Sequence, residues 1–224
     1  MTKTDIIQAA FQVWGADFYL KTSLTEIAHA LNVTKPALYR HFSNKEELLN
    51  AMYENFFDVL AGFLSPFFDK SYKEDANEGL ITIALGFAEF FLRNNEYFVF
   101  FLIYILENGD KEHNVFSKIA LRGLNIEKLM AADNGGNRPS KLMFVMRNIG
   151  FMTARYNKKF FKVKKKPEET EINEFIQTAA FYIRRGLGFN KQIIDALDWD
   201  HIEQSVLSIG AGPPPKTRTE GGEE

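Results

Sequence analysis

Two stretches of this 224-residue sequence carry side chains that could do chemistry. Asp198, Asp200, His201 and Glu203 lie close together near the C-terminus and are the residue types of a carboxylate–histidine metal cluster; Glu112-His113 is a weaker candidate. On a helix, residue 198 shares a face with 201 and 202 rather than with 200 or 203, so these groups do not converge on one ion. The chain has no cysteine, which excludes disulfides, thiolate metal sites and a cysteine nucleophile. Nothing reads as a nucleotide loop or a nucleophilic triad, so the expectation is no enzyme, no metal and no cofactor. The second stretch, Val33 to Phe42 ("VTKPALYRHF"), sets a cap residue, a proline, two aromatics, and a lysine, an arginine and a histidine in one short segment. Those types make phosphate and base-edge contacts, but the same types would also suit a short capped helix in a helical core.

Such groups need elements to aim them. Around residues 4–17, Ile6, Ile7, Ala10, Val13 and Trp14 recur at spacings of three and four, which makes a core-facing stripe. Ser23-Leu-Thr-Glu26 is a capping box that starts a second helix, with Ile27, Ala28 and Leu31 as its buried side. Asn32 follows at the point where the chain must leave that helix, and asparagine tolerates the positive φ expected there. Val33 plugs the corner, Thr34 caps the next helix, and Pro36 falls in its first turn, where a missing N–H is harmless. Leu38 and Phe42 return to the core. Ser43 to Glu46 ("SNKE") reads as another capping box, launching a long fourth helix. The spacing is that of a helix-turn-helix.

The run "LTEIAHALNVTKPALYRHFSNKEELLNAM" resembles the DNA-binding region of TetR-type bacterial transcriptional regulators, over Ile6 to Met52. The Ser23–Ala28 register, the Leu38–Phe42 block and the Lys45–Leu49 block carry the resemblance together. The chain departs from that pattern at Asn32 and Phe18, where the family usually has glycine, and at Thr34-Lys35-Pro36-Ala37, where the family turn often reads Ser-x-Gly-Thr. The resemblance implies an all-α protein: a three-helix DNA-binding domain with a helix-turn-helix over 1–50 and a larger helical bundle over 51–210 for dimerisation and effector binding. The tail over 211–224 is rich in glycine, proline and charge, cannot bury enough surface to order itself, and reads as disordered. If the helix from Lys35 enters the major groove, Lys35, Pro36 and Ala37 face base edges. The resemblance places Tyr39, His41, Thr25 and Lys45 on phosphates; Thr34 joins them as a positioning group, and Arg40 is as much a solvated or salt-bridged residue as a contact. It also implies a homodimer on a palindromic double-stranded operator, acting as a repressor whose affinity answers to a small apolar effector. The alternative is a DNA-binding protein of the same fold without a small ligand, controlled by a protein partner or serving architecture.

Beyond residue 52 the apolar residues keep helical spacing, and the expected helices run 44–64, 76–93, 95–107, 114–132, 140–162, 170–186 and 199–209, with a loop at 133–139. This region is rich in phenylalanine. Phe87, Phe91, Phe98, Phe101, Tyr104, Phe144, Met152 and Tyr156 are the expected lining of an effector cavity, although the same rings could fill a solid core. Two C-terminal stripes, Ile172–Leu187 and Trp199–Ile209, suit either a dimer interface or packing within one chain. The net charge of −2 excludes a globally basic nucleic-acid binder, and residues 1–50 balance Lys3, Lys21, Lys35, Arg40 and Lys45 against Asp5, Asp17, Glu26, Glu46 and Glu47. The lysines of 158–166 read as a solvated helix end. No signal-peptide order opens the chain, and the longest apolar run, Tyr97–Leu106, is about half the ~20 residues that cross a bilayer. A cytoplasmic protein with no membrane contact is expected.

Overall fold

The computed structural model describes residues 2–17, 23–71, 76–108, 118–124, 148–156, 166–185 and 191–211, and every regular element among them is a helix. The head is built from α1 (Lys3–Asp17), α2 (Leu24–Ala30) and α3 (Lys35–Tyr39), followed by the long α4 (Lys45–Ser71). The body continues with α5 (Ala76–Arg93), α6 (Asn95–Asn108), a helical segment over 148–156, α7 (Glu169–Arg184), α8 (Lys191–Ala196) and α9 (Trp199–Gly210). The helical fold class is therefore as the sequence implied. Phe18, Tyr104, Phe144, Leu187, the 133–139 loop, most of the 158–166 lysines and the tail beyond Ala211 lie outside the residues or side chains described.

The corner between α2 and α3 follows from its residues. Asn32 takes φ 54°, the left-handed conformation that the sequence assigned to it. The Asn32 N–H donates to the His29 carbonyl at 2.9 Å and the Val33 N–H to the Ala28 carbonyl at 2.9 Å, the paired bonds of a Schellman motif. Val33 packs back on the core beside Ala28. Ser23 accepts from the Glu26 N–H, and Glu26 reaches back to the Ser23 N–H, so the expected capping box is present.

Three expectations change. The cap of α4 sits one residue later than expected: the Glu47 N–H donates to Asn44 Oδ1 at 2.8 Å, while the Glu47 carboxylate takes the Ser43 N–H at 2.7 Å. The helix expected to stop at 64 runs on to Ser71 through Pro66. An interior proline costs about 3 kcal/mol, yet Leu64, Phe67 and Phe68 beside it are all but fully buried, and their burial outweighs the lost bond. The Phe67 ring reaches α5 at Gly86, where an added Cβ would stand 3.0 Å from it, so the glycine permits the close approach. The helix expected over 114–132 is interrupted: 118–120 is helical, 121–123 turns, and Gly123 takes φ 86°. Arg122 holds that turn against α4, with Nε 2.6 Å from Asp58 and Nη2 2.7 Å from Glu54. Helix α8 was not anticipated; Ile194 buries it, and its carbonyl accepts from the Trp199 indole at 2.9 Å.

Helices α5, α7 and α9 meet at a charged joint. Glu89 is fully buried, and its Oε1 accepts from Arg93 Nε at 3.0 Å and Nη2 at 2.7 Å. Arg93 also binds Glu169 at the start of α7, Nη1 at 2.6 Å and Nη2 at 2.9 Å. Burial pushes the Glu89 carboxyl up to about 7 despite the pull of Arg93. Glu169, exposed on the same guanidinium, is held below the usual carboxylate range, first by its hydrogen bond to Arg93.

Two outcomes follow. Asn32→Val, which forces a β-branched residue into positive φ, lowers stability by at least about 1 kcal/mol, about 2–4 °C in melting temperature, while Asn32→Gly stays within about 0.5 kcal/mol of wild type. Thermal unfolding followed by circular dichroism checks both. For Glu89, the folded protein keeps a proton that the unfolded chain has already released between the ordinary carboxylate value and about 7. Its charge therefore lowers stability as pH rises through that window. Glu89→Gln should gain on wild type between about pH 5 and about pH 8, by on the order of 1–3 kcal/mol in denaturant unfolding.

Candidate nucleic-acid interface

The face around α3 is built by two buried anchors. Leu38 is completely buried and Phe42 almost so, and they anchor α3 in the core, where it packs against α2. Opposite them Thr34, Lys35, Pro36, Tyr39 and Arg40 are exposed, while Ala37 and His41 are half-buried. Tyr39 keeps 41% of its surface in solvent. Lys35 Nζ lies 5.6 Å from the centre of the Tyr39 ring, so the two form one cationic and aromatic unit. The separate base-reading and phosphate-contacting groups expected from the sequence thus touch one another.

Thr34 is the N-cap of α3 in extended backbone, but its hydroxyl makes no capping hydrogen bond. The Thr34 carbonyl instead takes the N–H groups of Ala37 at 2.9 Å and Leu38 at 3.2 Å. The regular part of α3 ends at Tyr39, because the His41 N–H turns in to the Leu38 carbonyl at 2.9 Å and tightens the last turn. Thr25 is exposed in the first turn of α2, and Lys45 is half-buried at the start of α4. Lys3 Nζ stands 5.5 Å from the Phe42 ring, a further cation beside α3 that sequence reasoning did not single out.

The head is joined to the body through α1 and α6. Phe11, absent from the stripe read in the sequence, packs its ring 4.4 Å from Tyr97 and 5.3 Å from Phe100, and is 1% exposed. Above it Gln8 Nε2 donates to the Tyr97 hydroxyl at 3.1 Å, and that hydroxyl donates to Asn55 Oδ1 at 3.3 Å. One side chain of α6 thus ties α1 to α4. Burial raises the Tyr97 phenol to about 12, with Gln8 pulling the other way. Its signal in the sequence was the apolar run from Tyr97, which reads as core without revealing its partner.

The expected effector positions divide. Phe87, Phe91 and Phe98 are buried. Phe91 packs 5.2 Å from Phe98 and 4.8 Å from Phe101, with Phe56 of α4 against the same group. Met152 and Tyr156 lie elsewhere, on an open groove of about 740 Å³ between 148–156 and α7. The two C-terminal stripes pack inside the chain: Ile172, Phe175, Ile176, Ala179 and Ile183, with Trp199, Ile202 and Val206, are buried. What α7 shows to solvent is Phe181 and Tyr182, each about half exposed, beside Phe151 at 79%. Of the acidic–histidine group, Asp198 Oδ1 accepts from the His201 N–H at 3.0 Å as the N-cap of α9, while Asp200 and His201 point to solvent. No set of three or more metal-binding side chains converges among the described residues. No described helix is long and apolar enough to cross a membrane.

Residues 6–52 match the family described as "Bacterial regulatory proteins, tetR family". Over 73 residues, a third of this chain and 40% of the relative, the sequence is 34% identical to the "Biofilm operon icaADBC HTH-type negative transcriptional regulator IcaR" of Staphylococcus epidermidis. Over 52 residues, 23% of this chain and 24% of the relative, it is 40% identical to the "Probable acrEF/envCD operon repressor" of Escherichia coli K12. The matched stretch thus spans less than half of either relative. The crystal structure of Mycobacterium smegmatis AmtR is similar over 96% of this chain and 97% of that one, with a TM-score of 0.53 and 19% identity, which extends the likeness of fold through the body.

Tyr97→Phe should therefore cost about 1 kcal/mol of stability, because it strands Gln8 and Asn55 at a part-buried joint. Gln8→Ala in the Tyr97→Phe background should add little, and a double-mutant cycle by chemical unfolding measures the coupling. Over residues 6–52 the chain is thus similar to the tetR family of bacterial regulatory proteins.

Proposed function

We propose that this protein is a DNA-binding transcriptional repressor, not an enzyme, that grips a palindromic operator as a homodimer. The observation that carries the reading is the α3 face: Leu38 and Phe42 hold the helix from behind, so Thr34, Lys35, Pro36, Tyr39 and Arg40 stand in solvent. In this proposal residues 1–50 form the reading head. Lys35 donates to guanine O6 or N7, and Pro36 and Ala37 lie against thymine methyls. Thr34, Tyr39 and His41, with Thr25 and Lys45, settle on phosphates that fix the register, and Arg40 adds charge at the rim. The Lys35–Tyr39 contact opens when the lysine turns toward a base.

A two-fold dimer sets two such helices one DNA turn apart, ~34–36 Å. The half-exposed Phe181 and Tyr182 on α7, with Phe151 beside them, are the apolar surface that a second copy would cover. A small apolar effector in the body changes operator affinity through α6, which packs on α1 and carries Phe98 and Phe101 against Phe91 of α5. Only a ligand with different affinity for the two head spacings would shift binding.

The test is a nuclease footprint of the purified protein on the DNA upstream of its own gene, with affinities measured against salt. Tyr39→Ala should weaken the site about tenfold with native far-ultraviolet circular dichroism, since a charge-assisted or hydroxyl contact to phosphate is worth about 1–2 kcal/mol. Lys35→Ala should relax base preference at the position it reads. Unchanged affinity and unchanged footprint in both variants would remove the α3 face as the reading surface.

A further inference from the structure

The acid that α5 buries and the acid that α7 exposes share one arginine. The Glu89 side chain has no surface in solvent and that of Glu169 keeps 65%, while Arg93 between them keeps 17%. Arg93 Nη2 is the shared donor, 2.7 Å from Glu89 Oε1 and 2.9 Å from Glu169 Oε2; Nε adds a second bond to Glu89 at 3.0 Å, and Nη1 a second to Glu169 at 2.6 Å. Through this one guanidinium the end of α5 is tied to the first turn of α7. Since Glu89 Oε1 takes both Arg93 bonds, Oε2, buried without a hydrogen-bond partner, is the oxygen left to carry a proton.

The charges that act on the Glu89 carboxyl are Arg93, on its own helix, and Glu169, on α7. Helix α9 sets Gly210 against it, and the Glu203 carboxyl of that helix answers to Asp200 and Arg184 instead. Helix α4 brings the apolar Val59 and Phe63 to this joint, and Glu96 of α6 pairs with Lys166 at 3.9 Å. A single proton therefore sets the charge balance. With Glu89 neutral, one guanidinium faces one carboxylate. With Glu89 ionised, two carboxylates compete for that guanidinium and repel each other, and the exposed one lets go, because water solvates Glu169 and Glu89 is buried. Burial holds the Glu89 carboxyl at about 7, so both charge states are populated near neutral pH.

We propose that Glu89, Arg93 and Glu169 form a proton-controlled latch between α5 and α7. With Glu89 neutral the guanidinium holds the first turn of α7; with Glu89 ionised it is drawn to the buried carboxylate and that turn is released.

Carbon-13 NMR of the side-chain carboxyls, with amide hydrogen exchange on the same full-length protein, tests the latch between about pH 6 and about pH 8.5. The Glu89 carboxyl is expected to titrate inside that range, and Glu169→Gln to move its midpoint down, because the Glu169 charge helps to hold it up. The Ile172 N–H, which donates to the Glu168 carbonyl at 3.0 Å, reports the first turn of α7. Its protection factor, with the intrinsic rise of exchange rate divided out, should fall about two- to fivefold from the low end to the high end, the range of an exposed ion pair. The Ile27 N–H, bonded to the Ser23 carbonyl at 3.2 Å in the matching place of α2, should not change. Glu89→Gln is expected to keep the higher Ile172 protection at both ends. Glu169→Gln, a change at an exposed side chain, is expected to keep the lower, which leaves the latch testable if Glu89→Gln does not fold. A Glu89 carboxyl that does not titrate in this range, Ile172 protection independent of pH, an equal change at Ile27, or a pH effect that survives either variant would each overturn the proposal. Every readout is made on the free protein, so failure of the operator footprint would leave this result standing, and the reverse holds too.

Discussion

The Phe11 ring, wedged against Tyr97 and Phe100, is the contact on which the rest of the architecture depends. A three-helix head of about fifty residues has little core of its own, and domains of that size are marginal when isolated. Here the head borrows its stability. Phe11 leaves the α1–α2 side and enters the aromatic cluster of the body, where Phe56 of α4 meets Tyr97 and Phe100 at 6.0 Å and 5.8 Å. The Gln8–Tyr97–Asn55 hydrogen bonds then give that greasy contact a fixed register. Apolar rings alone could slide; a phenol held by partners on two helices cannot slide without breaking both bonds.

That register matters because α4 runs uninterrupted from the head into the body. Its first turn is fixed by Asn44 and Glu47, and its far end by Phe67 lying on Gly86. A helix clamped at both ends moves as a rod, so a displacement of α6 against α4 is passed to α1 rather than absorbed between them. In a regulator of the proposed kind this is how occupancy of the body would become a change in the spacing of two heads. The stiffness is costly at Pro66, where the ladder loses a bond, and the burial of three large side chains around it offsets that loss.

Local chemistry was legible in the sequence and long-range packing was not. Ser23, Glu26, Asn32, Val33 and Pro36 act on neighbours within a few residues, so their types and order determine the corner between α2 and α3 before any tertiary contact is known. The box before α4 was read one position early, since "SNKE" offers two overlapping solutions and only the geometry favours Asn44 with Glu47. The helix continues past the expected end at 64 because local spacing carries no knowledge of what Phe67 and Phe68 will bury. Phe11 was passed over for the same reason: its partners are far away in sequence, on α6. The break at 121–123 depends on Arg122 reaching Asp58 and Glu54, again a pairing with no local signal.

The joint of Glu89, Arg93, Glu169 and Gly210 shows the limit most clearly. Glu89 sits in the run "GLITIALGFAEFFLR", where helical periodicity would simply place one acid among apolar neighbours. Burying it is unfavourable on its own, and replacing such a pair by hydrocarbon is often neutral or better for stability. An arginine one turn later repays only part of that cost, because it satisfies one carboxylate oxygen and leaves the other unmet. A structure selected for stability alone would have filled the space with a side chain at residue 210 and an apolar group at 89. Instead the glycine at 210 leaves the room that the Glu89 carboxyl occupies, so the buried acid on α5 and the small residue on α9 depend on one another, a pairing with no local signal in the sequence.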